Sequence, residues 1–158
     1  MLKKLREELN RESLKCTYKY QKIHGFKIGT GKEATHNNEA DAFKHAFMQA
    51  YLMIVHPNHP AKLYGDYHEY IEGMNYDRRE NNMDLWNNSI GREIVHDLKC
   101  YLGDRYKKYS KEELLDMAAE LICDRIQKHE DLKQCAIFSY GKREINKINI
   151  PAPSNNPV

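Results

Sequence analysis

The sequence predicts an all-α fold, a compact single-domain bundle of about five helices around one central apolar helix, with a short extended tail at the carboxyl end. Three observations carry that prediction. Apolar residues recur at three- and four-residue spacing through most of the chain, helix-capping residues and prolines punctuate the pattern, and the segment EADAFKHAFMQAYLMIV is apolar around nearly its whole circumference.

The first helix is announced by Leu2, Leu5 and Leu9 in a highly charged segment and extends to about Tyr18 or beyond. HGFKIGTGKEATHNN then breaks the periodicity with three glycines and reads as a loop. A phosphate loop is not indicated, because GTGK lacks the GxxxxGK[ST] spacing. Asn37 or Asn38 can cap the second helix, which runs until HPNHP stops it. Its apolar girth makes it the central element.

A third, shorter helix should begin near Pro60, a good first-turn residue, and end before Gly73. The fourth continues from about Met83 through Leu102, with Asn81 and Asn82 suited to its cap. Ser110 with Glu113 forms a capping box ahead of the series Leu114, Met117 or Ala118, Leu121, Cys123 or Asp124 and Ile126, which predicts the fifth helix. Residues 1–150 are read as one helical domain and 151–158, rich in proline and asparagine, as a flexible tail. No internal repeat is visible.

At 158 residues the chain is long enough to bury a real core. Lysine plus arginine is 25 against 23 for aspartate plus glutamate, so there is no strong nucleic-acid signature, although a nuclease is not excluded. No apolar run approaches the roughly 20 residues needed to cross a bilayer, and a soluble protein is expected. The charged amino terminus lacks a classical secretory signal, which leaves a cytoplasmic location or export by a non-classical route. Cys16, Cys100, Cys123 and Cys135 form no CxxC pair, and reduced, buried thiols are expected.

Short polar residues sit inside the apolar pattern of three helices. Asp41 and His45, four apart, share one face of the central helix. His68 and Glu69 stand side by side in GDYHEY, and Asp84, Asn87 and Asn88 share a face in NNMDLWNNSIGREI. Helical bundles build sites from such inward-facing side chains. Imidazole with carboxylates suits a divalent metal ion, with His45, His68 and Asp84 as candidate ligands. Without metal, His45 can act as general base oriented by Asp41 or Glu69, while Asn87 or Asn88 polarises a substrate oxygen. Arg92, near the same face, can hold a phosphate or carboxylate. The bland reading of all these residues is a hydrogen-bonded core network, and for Arg92 a solvated arginine or one paired to Asp84 or Asn88. Tyr64, Tyr67, Tyr70, Tyr76, Tyr101, Tyr106 and Tyr109 are either a wall for a ring-bearing or lipid substrate or ordinary amphipathic packing.

NNEADAFKHAFMQAYLM, GDYHEY and NNMDLWNNSIGREI, taken in order over residues 37–95, resemble a bacterial helical domain family with the pattern ADAFRHA, HE and MDLxNNxxGR. That family is similar to polymorphic-toxin modules. The resemblance singles out Asp41, His45, His68, Glu69, Asp84, Asn87, Asn88 and Arg92, and it implies a toxin or secreted-effector setting with an immunity or delivery protein as partner. Lys44 stands where arginine is common, and Trp86 where a histidine often stands. Prokaryotic phospholipase A2 domains are a remote likeness, since Ala46 follows His45 where their calcium-binding aspartate would be. The expected function is a hydrolase of phosphodiester or ester bonds, metal-dependent or not. The alternative is a non-catalytic binding module whose polar residues form a structural network.

Overall fold

Asn38 fixes where the central helix begins. Its side-chain oxygen accepts a hydrogen bond from the Asp41 amide at 2.9 Å, which satisfies one of the donors that a helix start leaves open. The computed structural model describes residues 2–72 and 78–127, with side chains for all of these except 67–72, 78, 79 and 82. Among the described residues there are five helices and no strand: α1 (Leu2–His24), α2 (Glu39–Val55), α3 (Ala61–Glu72), α4 (Arg78–Leu102) and α5 (Lys111–Gln127). Short 3-10 segments occupy Gly31–Glu33, within the predicted loop, and Gly103–Lys108. The predicted extended piece, the tail and Cys135 lie outside the described residues.

α2 is the centre of the bundle and packs against each of the other four helices. Ala40, Ala42, Phe43, Ala46, Ala50 and Leu52 are wholly buried on it. A leucine or phenylalanine side chain taken fully from water contributes about 1.5–3 kcal/mol, so this helix carries much of the fold's stability. Its alanines let neighbours approach, while Phe26, Phe43 and Phe47 stack at ring separations of 5.3 and 5.8 Å.

Four contacts between α2, or its cap, and α4 fix how the pair runs. Asn37 meets Glu80, His45 meets Asp84, Gly91 meets Ala46 and Arg92 meets Gln49. Residue numbers rise together on both sides, so the two helices are parallel. Their closest approach is at Gly91, where an added Cβ would lie 2.0 Å from the Ala46 carbonyl oxygen. Glycine is there because no side chain fits.

α3 makes the return that a parallel pair requires. Ala61 packs with Leu5, Leu9, Met48 and Leu52, and Gly65 lies against Gln49 and Asn88. α1 runs antiparallel to α2: Glu8 reaches Tyr51 and His56 at one end, and Tyr20 stacks on Phe43 at the other. α5 runs alongside α1, held by Tyr20 on Asp116 and His24 on Glu120. Its start is the predicted capping box, with the Glu113 amide donating to Ser110 Oγ at 3.1 Å and the Ser110 amide donating to Glu113 Oε2 at 2.7 Å.

Two expectations change. α4 begins at Arg78 rather than near Met83, so Asn81 and Asn82 lie inside the helix and do not cap it. The Asn37 side-chain Nδ2 donates to Glu80 Oε1 in the first turn at 2.5 Å, a tertiary contact that local capping preferences do not register. Cys16, Cys100 and Cys123 are free thiols, as expected, but only Cys123 is fully buried and Cys100 is exposed. No helix among the described residues is long and apolar enough to cross a membrane.

Candidate functional site

Asp41, His45 and Gln49 recur every four residues on α2, and Asp84, Asn88 and Arg92 do the same on α4. Because the helices are parallel, the two stripes face each other in register. At one end His45 Nε2 lies 3.5 Å from Asp41 Oδ1 and 3.4 Å from Asp84 Oδ1. The ligand atoms of these three residues all fall within 4.8 Å of one another, with Asp41 buried and the other two half-buried.

Asp41 does two jobs. Its Oδ2 accepts from the Asn37 amide at 2.9 Å, closing the cap that Asn38 opens. Asn37 takes φ +50°, a left-handed conformation that asparagine tolerates better than most residues. The other oxygen, Oδ1, lies 2.9 Å from Lys44 Nζ, which also reaches the Thr35 carbonyl and hydroxyl.

Asn87 follows Asp84 by one helical turn and is completely buried. Neither its amide oxygen nor its amide nitrogen has a hydrogen-bond partner among the described residues. Leaving a buried polar group unsatisfied costs about 1–3 kcal/mol, and such orphans call for a partner of another kind. An amide oxygen is a good ligand for a hard cation.

At the other end of the stripes Arg92 donates to Gln49 Oε1 at 2.8 Å. Arg92 is half-buried, and burial pulls its guanidinium below the usual range, while Asp66 opposes that effect. Arg92, whose bland reading was a solvated arginine or one paired to Asp84 or Asn88, meets Gln49, a residue that sequence reading did not single out. Its signal was present: a glutamine four residues beyond His45 on the most apolar helix is nearly forced inward, and it is 1% exposed.

The structure therefore brings Asp41, His45 and Asp84 together, with Asn87 and Asn88 buried on the same helix as Asp84 and Arg92 two turns further on. His68 and Glu69 belong to α3, but their side chains lie outside the described residues, as do those of Tyr67 and Tyr70; Tyr76 lies outside them altogether. Tyr101 stands about 25 Å along α4 from Asp84 at 1.5 Å per residue, too far to wall the site, while Tyr109 belongs to the main hydrophobic core and Tyr106 packs against it. Trp86 packs half-buried against the main core.

A parallel helix pair with a His/Asp polar seam defines the class: an all-α domain with a candidate cation site between its two longest-contacting helices. The chain belongs to the family described as "Domain of unknown function (DUF6973)", whose model matches residues 10–126. No curated protein and no solved structure matches the chain.

Proposed function

We propose that this chain is a hydrolase of the toxin or effector kind, using a divalent cation held by Asp41, His45 and Asp84 to cleave a phosphodiester or ester bond. The observation that carries this reading is the spacing around His45 Nε2. Separations of 3.5 and 3.4 Å are long for hydrogen bonds, whose usual N···O distance is about 2.9–3.0 Å. They match two ligand atoms on one tetrahedral ion, which at about 2.1 Å from the metal stand about 3.4 Å apart. The buried, unsatisfied Asn87 amide supports the same reading, since its oxygen suits a further ligand position.

A bound cation would supply Lewis-acid polarisation of the scissile group and a more acidic water. The chain's own residues do the rest. His45, when not a ligand, would accept a proton from water, with Asp41 and Asp84 close enough to stabilise the imidazolium that forms. His68 and Glu69, one helix away, are proposed to complete the proton-transfer set. Asn88 and Arg92 are donors on the substrate side, and Asn87 joins them if it does not bind the cation. The effector setting, with an immunity or delivery partner, rests on the sequence resemblance of residues 37–95.

One observation favours a second reading, a non-catalytic binding module with a structural polar network. Both oxygens of Asp41 already meet protein donors, the Asn37 amide and the Lys44 ammonium. The two readings separate on expression in a bacterial host together with assays on bis(p-nitrophenyl) phosphate and p-nitrophenyl acetate. The hydrolase reading expects toxicity or turnover that His45→Ala abolishes while the helical circular-dichroism signal stays. Harmless expression, no turnover and a His45→Ala variant that is merely less stable would favour the network.

A further inference from the structure

Arg92 is half-buried, yet among the described residues no carboxylate lies within ion-pair distance of it; its one hydrogen bond goes to a neutral amide oxygen. Asp66, the acidic group that acts on it through space, is itself paired with Lys62. Charges removed from water are normally matched by a counter-charge, because an ion that loses its hydration needs compensating interactions. Arg92 has five N–H donors and spends one on Gln49.

The surroundings are donors as well. Gln49 gives its oxygen to Arg92, which turns its Nε2 toward α3, where a Cβ on Gly65 would come within 2.6 Å of it. Asn88 Nδ2 would lie 3.3 Å from the same Cβ. Gly65 thus lets the α3 backbone close over two buried amide donors beside a fixed guanidinium.

We propose that Arg92, held by Gln49 and flanked by Asn88, is an anion-binding subsite that receives a phosphate or carboxylate group. The planar guanidinium fork fits either oxyanion through paired hydrogen bonds. Eight residues separate Gln49 from Asp41 and Arg92 from Asp84, so the subsite lies about 12 Å along the helix pair from the candidate cation site. Its role in catalysis rests on the hydrolase reading: a substrate would carry an anionic group several bonds away from the one cleaved. The anion binding itself does not depend on that reading.

The test is calorimetric titration of the full chain, stripped with EDTA and at low salt, with inorganic phosphate and separately with malonate. Saturable binding of either anion is expected, and the one that binds identifies the source of the charge. Arg92→Gln should weaken it at least tenfold, and Asp66→Asn, which removes the nearby negative charge without touching the donors, should tighten it severalfold. Binding of neither anion overturns the proposal, as does an unchanged affinity in Arg92→Gln or in Asp66→Asn. Phosphate binding that survives in Arg92→Gln but disappears in His45→Ala places the anion beside that imidazole instead and also overturns it.

Discussion

His45 Nε2 on α2 lies 3.4 Å from Asp84 Oδ1 on α4, a contact between parallel helices that the return segment α3 makes possible. A second cross-helix contact, Arg92 on Gln49 at 2.8 Å, follows one turn further along α2 and two turns further along α4. Between the two contacts the backbones close at Gly91 on Ala46. Placement of the polar stripes thus depends on one close helix crossing.

That crossing makes the first prediction. Gly91→Ala removes a poor helix former and on propensity alone should stabilise by about 1 kcal/mol. The new Cβ would instead lie 2.0 Å from the Ala46 carbonyl oxygen, which is backbone and cannot swing away. Net destabilisation of about 1–3 kcal/mol is expected from urea unfolding, in the range for overpacked cores. A more stable variant would show that the helices are not so close.

Lys44→Met separates the two accounts of Asp41. With the ammonium gone, Asp41 Oδ1 loses the cation that stands 2.9 Å away and is free for another. Zinc affinity should rise on the order of tenfold, equivalent to about 1.4 kcal/mol. Lower stability with no metal binding in either protein would mean that Lys44 is the permanent partner of Asp41.

Glu8 gives a pH dependence whose sign follows from its partners. Hydrogen bonds from His56 and Tyr51, in that order, hold its carboxyl below the usual range. A folded-state pKa below the unfolded one contributes stability that is present above the unfolded value and lost as pH falls through the folded value. The α1–α2 contact should therefore weaken on acidification below about pH 4.3, the ordinary glutamate pKa. Thermal melts of Glu8→Gln should lack that component, and a variant with the same acid profile as the parent would refute the assignment.

Thiol reactivity should follow burial. Desolvation pushes the Cys16 thiol up to about 12 and raises Cys123 further, while Cys100 is exposed. Since the thiolate is the reacting species, iodoacetamide near pH 8 should label Cys100 well before the other two. Peptide mapping reads the order, and equal labelling of Cys123 in the folded protein would contradict the packing of α5.

What could be read from the sequence was what short-range chemistry decides. The Asn38 cap, the Ser110–Glu113 box and the central apolar α2 each depend on residues within four positions of one another. Asp41, His45 and Asp84 stood out because short polar groups interrupt apolar faces. Gln49, Gly65, Gly91 and Lys44 did not, because each takes its meaning from another helix or loop: Gln49 from Arg92, Gly65 from two amides, Gly91 from Ala46, Lys44 from Thr35. The start of α4 was misplaced for the same reason, since Asn37 holding Glu80 is a tertiary contact between α4 and the segment leading into α2.

Whether Asp41, His45 and Asp84 hold a divalent cation is decided by elemental mass spectrometry of the purified protein beside His45→Ala and Asp84→Ala. Close to one metal ion per chain is expected in the parent and none in either variant, with both variants still helical. A parent protein that stays metal-free after incubation with zinc, manganese or calcium, or variants that keep the parent's metal content, would contradict it.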